Sequence, residues 1–517
     1  MTVIDIIKKT PYYFCLFALY PVLSLFSINT AEVNYIFVIR PLLFSIVSAV
    51  LLFGILSLIT HNPNRSALIT AIGFLLFFSY GLIFQGVNGI SIFASTIGKR
   101  QIFLPLYCIV SGGFIFLLSK VQDKQKDFNF GMNLIGIILV IMPIITIITH
   151  PMSFNPKSSY TRTVSQIPVD NNSSSPDIYY FILDAYARAD YLKEYIQVDS
   201  SELLQGLKDR GFFIGDCSLS NYAFTRLSLT SSLNMDYLEN WPGTYKPSNT
   251  NHNLVDGLIK NSLVRQTLEQ AGYQTVAFES GYKFTSFSDA DYYFAPNNNP
   301  LLMKALSAFE AMTLENSFLG GLKRFSLFKP LLGWINPFHE KFLREKYMIE
   351  QVKNIPDIPG KKFVFIHLVT SHRPYIFNSD GSLLTDDGYF SNNGNPLNEE
   401  YFIRGYRYQI EYTNSFLLDV VDKIIAKSKT PPVIILQGDH GVQSPARFAI
   451  LNAIYYQGQD LHLYPSISPV NTFRVILTKL GIGSYDLLPD YSYFSNQNKS
   501  PYKLTKLKGE ASQCRIR

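Results

Sequence analysis

The sequence predicts an N-terminal region of about five transmembrane helices followed by an α/β domain whose mostly parallel sheet is sandwiched by helices. Three observations carry that prediction. The first 150 residues contain five apolar stretches of near-bilayer length, and a polar stretch rich in Pro, Ser, Thr and Asn follows. From Asp177 onward, short β-branched and aromatic runs alternate with helical periods.

Composition points the same way. Of 517 residues, 47% are hydrophobic and 16% charged, against about 25% charged in soluble proteins. Nearly all of the imbalance lies in the first 150 residues, so a membrane part is joined to an ordinary globular part. The net charge of +6 is mild, and no Lys/Arg stripe is interleaved with aromatics. Nucleic acid is therefore excluded as a partner. The four cysteines, Cys15, Cys108, Cys217 and Cys514, show no CxxC spacing. A Cys217–Cys514 pair in an oxidising compartment is left open.

The apolar stretches run at about 11–28, 36–59, 67–86, 102–119 and 130–149, each close to the roughly 20 residues that cross a bilayer core as helix. Lys8 and Lys9 precede the first, as in a signal peptide. No small-residue cleavage site follows and four more spans do, so the segment reads as retained. Lys8, Lys9, Arg65, Lys120, Lys124 and Lys126 fall on one side if the N-terminus is cytoplasmic. The opposite loops hold Glu32 and the discordant pair Lys99-Arg100. The expected topology is N-terminus in, globular domain outside, in a multi-pass cell-membrane protein. The spans either anchor the chain or help to hold a lipid, with Asn88 and Lys99-Arg100 placed to meet a headgroup.

The expected boundaries are 1–150 for the membrane region, 151–175 for a surface tether, 176–490 for the globular domain and 491–517 for a C-terminal tail. Four runs read as buried parallel strands: Ile178–Leu183, Thr275–Phe278, Phe363–Ile366 and Val433–Leu436. Each ends in polar residues: Asp184; Glu279-Ser280; His367 with His372 beyond; Asp439-His440. Ligands of open α/β sheets bind beyond the carboxyl ends of the strands, so these clusters point to one site. Helices are expected at Ser200–Arg210, Leu254–Ala271 and Phe402–Lys427, with Gly211 and Gly272 following two of them. Pro296–Pro300 and Asn378–Asn398 read as loops, the second long enough to be a lid or rim.

Chemistry concentrates in three places. Gln437-Gly438-Asp439-His440-Gly441 ends a buried strand, and adjacent Asp and His both reach one cation when a turn points them the same way. The alternative is a plain strand-ending turn. Asp184 follows a long apolar strand, either as a metal ligand or as a helix N-cap. Thr225 opens a helical period in Thr225-Arg226-Leu227-Ser228. Its hydroxyl either caps that helix or feels the positive end of the helix dipole. A divalent cation on the same oxygen makes the alkoxide accessible near neutral pH, which activates a weak nucleophile.

An acid after the first strand, a Thr opening a helix as T-x-x-S and a late D-H-G together resemble the alkaline-phosphatase/sulfatase superfamily. Apolar spans ahead of such a domain are similar to lipoteichoic acid synthases and phosphoethanolamine transferases. The resemblance covers about residues 176–490 and is specific as a set rather than piece by piece. It implies that Asp184, Thr225, Asp439 and His440 hold one metal ion, with Thr225 as nucleophile. It also implies that His372 contacts the transferred group or protonates the leaving oxygen. His367, Arg447 and Glu279 are further substrate-side candidates, each with a structural alternative. His462 beside Leu463–Phe473 reads as a surface or core residue.

The chain departs from the family patterns in three ways. The sulfatase C/S-x-P-S-R is replaced by Thr225 without the proline, which favours phosphoryl over sulfate esters. Asp184 stands where the lipoteichoic acid and phosphoethanolamine enzymes carry glutamate, so their substrates do not transfer directly. No Asp/His cluster for a second metal is evident, so one ion is expected, Zn²⁺ or Mn²⁺ before Mg²⁺ or Ca²⁺ given the nitrogen ligand. The implied activity is membrane-bound, metal-dependent phosphoryl transfer or phosphoric ester hydrolysis on envelope glycan or lipid phosphoesters, with membrane lipid as partner. The alternatives are a catalytically inactive sulfatase-like binding or assembly module, and a sulfuric ester hydrolase.

Overall fold

The computed structural model describes residues 10–30, 33, 35–87, 91–92, 95–96, 100–119, 125–149, 175–241, 245–296, 306–323, 325, 327–332, 335–336, 338–384, 399–442, 447–497 and 499–507. The chain divides into two compact units, Met1–Ser153 with Asn298–Glu340, and Phe154–Asn297 with Lys341–Arg517. The expected continuous domain over 176–490 is thus interrupted, because residues 298–340 group with the membrane region. The expected tether, the tip of the 378–398 loop and most of the basic residues used for orientation lie outside the described residues.

The first unit contains α1 (Tyr13–Ser27), α2 (Ile36–Thr60), α3 (Pro63–Val87), α4 (Arg100–Ser119) and α5 (Gln125–Thr149). Among the described residues, α2, α3 and α5 hold stretches long and apolar enough to cross a membrane, whereas Tyr13–Ser27 and Ile102–Leu117 are shorter. Outward-facing residues such as Leu43, Phe44, Leu51 and Leu58 are apolar, as helices facing lipid require. Between helices small residues meet aromatic ones: Ala18, Ala49, Ala67 and Ala71 are fully buried in one cluster with Tyr13, Phe14 and Phe17. Asn133 closes the start of α1: its Oδ1 accepts from Tyr13 N (2.8 Å) and its Nδ2 donates to Thr10 O (2.8 Å). One of the amides orphaned at a helix start is thereby satisfied.

Residues 306–323 join this unit for specific reasons. Ser307 and Glu310 form a capping box at the helix Ala308–Glu315. Glu310 also pairs with Arg40 of α2 at 2.8 Å. Gly81 N donates to Asn316 O at 2.9 Å, and a side chain at Gly81 would collide with that carbonyl at 2.5 Å. None of this is visible as a pattern in the sequence.

The second unit is built on a seven-stranded mixed sheet. Its strands are β1 (Ile178–Leu183), β2 (Phe213–Ile214), β3 (Gln274–Phe278), β4 (Tyr292–Phe294), β5 (Lys362–Leu368), β6 (Val433–Gln437) and β7 (Asn452–Tyr456). The order is β2-β7-β6-β1-β5-β3-β4; β7 is antiparallel to both its neighbours, and the other four pairings, which join β6, β1, β5, β3 and β4, are parallel. β1 lies at the centre, with Ile182 paired to His367 on one side and Gln437 on the other. All six of its residues are buried, which explains its unbroken apolar sequence.

Helices α6 (Ser201–Asp209), α7 (Thr225–Asn234), α8 (Leu263–Gln270), α9 (His339–Val352), α10 (Glu399–Lys427) and α11 (Pro469–Lys479) accompany the sheet. The helix expected over Leu254–Ala271 is broken, because Ser262 takes an extended conformation and accepts from Arg265 N to start α8 afresh. Tyr180 of β1 meets Phe473 of α11 edge-on with ring centroids 5.0 Å apart. The main core spreads from this contact through Phe365, Ile435 and Leu477, each buried apolar side chain contributing roughly 1.5–3 kcal/mol. The expected C-terminal tail is structured where described: Tyr493–Asn496 and Ser500–Lys506 form an antiparallel hairpin, and Tyr502 is buried beside Trp241 and Tyr245. Cys217 is disulfide-bonded, whereas Cys15 and Cys108 are free; Cys514 lies outside the described residues.

The turn after β6 is tightly packed. A Cβ on Gly438 would lie 2.6 Å from Tyr186 O and 3.2 Å from the Ile450 side chain. Gly438→Ala is expected to destabilise the second unit by about 1–3 kcal/mol. Near-ultraviolet circular dichroism on heating reads this directly, and an unchanged midpoint would contradict the packing described.

Candidate active site

The parallel strands deliver their polar residues to one edge of the sheet. Asp184 directly follows β1, Asp439 and His440 follow β6, and Thr225 opens α7. Asp184, His367, Asp439 and His440 are all buried. Asp184 is not an N-cap, since the short helix after it is preceded by Arg188. Nor does Thr225 cap α7: Phe224 takes the extended capping position, and Thr225 is the first helical residue. Its Oγ1 is left to face the site, 3.1 Å from His440 Nε2. Ser228, one turn further on, donates to Asp439 O at 2.7 Å. The T-x-x-S spacing puts both hydroxyls on the face of α7 that meets the D-H-G turn.

The two carboxylates are only half satisfied. Asp439 Oδ1 accepts from Ala185 N (3.0 Å) and from His440 N (2.9 Å). Asp184 Oδ2 accepts from His367 Nε2 at 3.2 Å. Asp184 Oδ1 and Asp439 Oδ2 have no hydrogen-bond partner among the described residues, although both are buried. They lie 3.8 and 3.5 Å from His440 Nε2. His440 Nδ1 donates to Gly441 O at 2.8 Å, which fixes the tautomer and leaves the Nε2 lone pair facing the same point. Buried, unpaired carboxylate oxygens are costly, and two of them beside an imidazole lone pair and a hydroxyl suit a divalent cation. Ala185 holds a left-handed backbone (φ 61°) that aims its N–H at Asp439.

Electrostatics follow from this crowding. Burial, then the neighbouring Asp184 charge, pushes Asp439 up to about 7. Burial opposes ionisation of Asp184 too, but the neighbouring His372 and the hydrogen bond from His367 hold it well below the usual carboxylate range. Burial and the Arg447 charge push His440 far down, favouring the neutral ring that a cation needs. Burial also lowers His372.

Asp184, His367 and Asp439 offer donor atoms within 4.8 Å of one another. His367 lies inside β5, which is longer than expected, and its Nδ1 is 2.9 Å from Thr285 Oγ1. Both of its nitrogens are therefore engaged by protein. His372 lies in the following loop, its Nδ1 donating to Arg373 O (2.6 Å) and its ring 6.5 Å from that of His440. Arg447 bridges the two loops of the site: Nε donates to Ala223 O (2.5 Å) and Nη1 to Val442 O (2.8 Å), with the guanidinium over the Phe224 ring. Glu279 makes no hydrogen bond to the converging residues; it accepts from Tyr293 Oη, Gly281 N and Ser286 Oγ. His462 is exposed and pairs with Asp460 at 2.9 Å.

Lys341, Glu345, Tyr282 and Thr285 are absent from the sequence reading. Tyr282 packs edge-on against the His372 ring. Lys341 and Glu345 sit one turn apart on α9 and hold the loop that carries His372. Their i,i+4 spacing was the available signal, but nothing in the sequence marks Glu345 as fully buried.

No family model matches the sequence, and no curated protein matches it. Solved structures are similar to it at low identity. One is the C-terminal periplasmic domain of EcEptC from Escherichia coli, with 12% identity, TM-score 0.40 and coverage of 65% of this chain and 92% of that one. The integral membrane protein lipooligosaccharide phosphoethanolamine transferase A from Neisseria meningitidis has 11% identity, TM-score 0.38 and coverage of 92% of this chain and 96% of that one. The lipoteichoic acid synthase LtaP from Listeria monocytogenes has 12% identity, TM-score 0.34 and coverage of 68% and 92%.

Proposed function

We propose that this chain is a membrane-bound phosphoryl-group transferase or phosphoric ester hydrolase of the alkaline-phosphatase type, with Thr225 as nucleophile and substrates among envelope glycan or lipid phosphoesters. One observation carries the reading: a hydroxyl at a helix start, 3.1 Å from a tautomer-fixed imidazole nitrogen, faces two buried carboxylate oxygens without partners. Asp184, Asp439, His440 and Thr225 would hold one divalent cation, Zn²⁺ or Mn²⁺. Bound there, it would draw charge from the threonine oxygen and from the phosphoryl oxygens.

The chain's own residues supply the rest. Thr225 Oγ1 bonds to phosphorus as the bond to the departing alcohol breaks. The Thr225 proton goes to solvent, and His372 gives one to the departing oxygen. In the second half, an acceptor hydroxyl or water bonds to phosphorus, the Thr225 bond breaks, and His372 takes the incoming proton. Arg447 holds the nucleophile loop against the D-H-G turn, and its charge suits an anionic substrate.

Membrane attachment favours a lipid-linked or surface-bound donor over a freely diffusing one. In this reading all five apolar helices span, the N-terminus is cytoplasmic and the catalytic unit is outside, where the bonded state of Cys217 suits the redox environment.

Thr225→Ala is expected to reduce turnover of aryl phosphodiesters by at least about a thousandfold, with Thr225→Ser partly active. Mass spectrometry of quenched wild-type protein should find the phospho group on Thr225. Turnover unchanged in Thr225→Ala would end this mechanism.

Removing the cation with chelator should lower the thermal midpoint, and Zn²⁺ or Mn²⁺ at about a thousand times Kd should restore about 4 kcal/mol. Uptake should weaken as pH falls through about 7, because a raised Asp439 pKa means the cation must displace a proton there. Calorimetric titration at pH 6 and pH 8 measures this, and equal affinity at both would contradict the assignment of Asp439.

A further inference from the structure

The loop after β5 that carries His372 is held at consecutive points by side chains outside the proposed reaction. Glu345 Oε2 accepts from Val369 N (3.0 Å) and from Thr370 Oγ1 (3.2 Å). One turn earlier on α9, Lys341 Nζ donates to His372 O (2.7 Å) and to Pro374 O (3.0 Å). Between them, Ser371 Oγ donates to Asp184 O at 2.7 Å. The residues on both sides of the imidazole are thereby fixed to α9, and the loop itself is fixed to the residue that ends β1.

Glu345 is an unexpected residue for a purely structural task. It has no exposed surface, and its Oε1 has no hydrogen-bond partner among the described residues. A buried carboxylate kept with one oxygen unsatisfied costs stability that an apolar residue would avoid. Its other oxygen receives two donors from adjacent residues, an arrangement that defines the path of the loop rather than merely filling space.

We infer that Lys341 and Glu345 are positioning residues for His372, clamping residues 369–374 so that the imidazole stays beside His440. This rests on the role of His372 as proton donor to the departing oxygen. The clamp touches neither substrate nor cation, so its loss should act only through that role. Steps that need a proton on the leaving group should slow, and steps that do not should continue.

The test uses the purified full chain with its cation and a series of phosphodiesters, from nitrophenyl leaving groups that need no protonation to alkyl alcohols that do. His372→Ala should slow the alkyl substrates about 100-fold more than the nitrophenyl ones. Glu345→Ala and Lys341→Met should show the same selective loss, at least about tenfold, with cation content unchanged. Glu345→Gln keeps an oxygen acceptor and should restore most of the alkyl activity. Adding Glu345→Ala to His372→Ala should cause no further selective loss.

If His372→Ala is selective but Lys341→Met and Glu345→Ala slow all substrates equally, or not at all, the clamp is overturned while the role of His372 stands. If His372→Ala itself shows no selectivity, the proton-donor reading fails and the clamp with it. Should Glu345→Ala fail to fold, Lys341→Met decides the outcome alone.

Discussion

Two carboxylates forced into one dry place are the constraint around which the second unit is arranged. β1 and β6 are parallel neighbours in register, Ile182 opposite Gln437, so Asp184 and Asp439 emerge side by side where the strands end. Two like charges buried this close cannot both be left bare. Each is relieved on one oxygen only: Asp184 by His367, Asp439 by two backbone amides. The other oxygen of each is turned toward His440 Nε2. The left-handed backbone of Ala185, the Ser228 bond to Asp439 O and the Arg447 bridge all serve to hold this unfinished arrangement in place.

Within that arrangement the histidines divide by what holds their second nitrogen. His440 is tied at Nδ1 to the Gly441 carbonyl and keeps Nε2 open. His367 is engaged at both nitrogens, by Thr285 and Asp184, and so orients a carboxylate rather than reaching outward. From Thr285 a run of hydroxyls through Ser280 and Ser286 reaches Glu279, which places that glutamate in the support of the site, remote from its open face. His372 stands on a loop instead of a strand, and its place depends on side chains of α9.

The first unit obeys a different rule. Its helices are apolar on their outward faces and meet through alanines and aromatic rings, so their surface suits lipid. A segment from the later part of the chain is drawn to them by a buried capping glutamate paired with Arg40 and by a backbone contact that only Gly81 allows. The first unit is therefore not a contiguous piece of sequence.

The sequence by itself determined what depends on local pattern. Unbroken apolar runs marked the apolar helices and the buried strands, and the acids following Ile178–Leu183 and Val433–Gln437 marked the edge where buried polar side chains converge, because strand direction fixes where its end lies. The spacing of Thr225 and Ser228 was legible for the same reason, a single helical turn. Tertiary structure alone decided what depends on residues far apart in the chain. Which oxygens of Asp184 and Asp439 lack partners, which nitrogen of His440 is open, and that Glu345 grips the loop of His372 are results of packing between elements separated by tens to hundreds of residues. Such contacts leave no period or composition to read, since each requires only one side chain to arrive at one place.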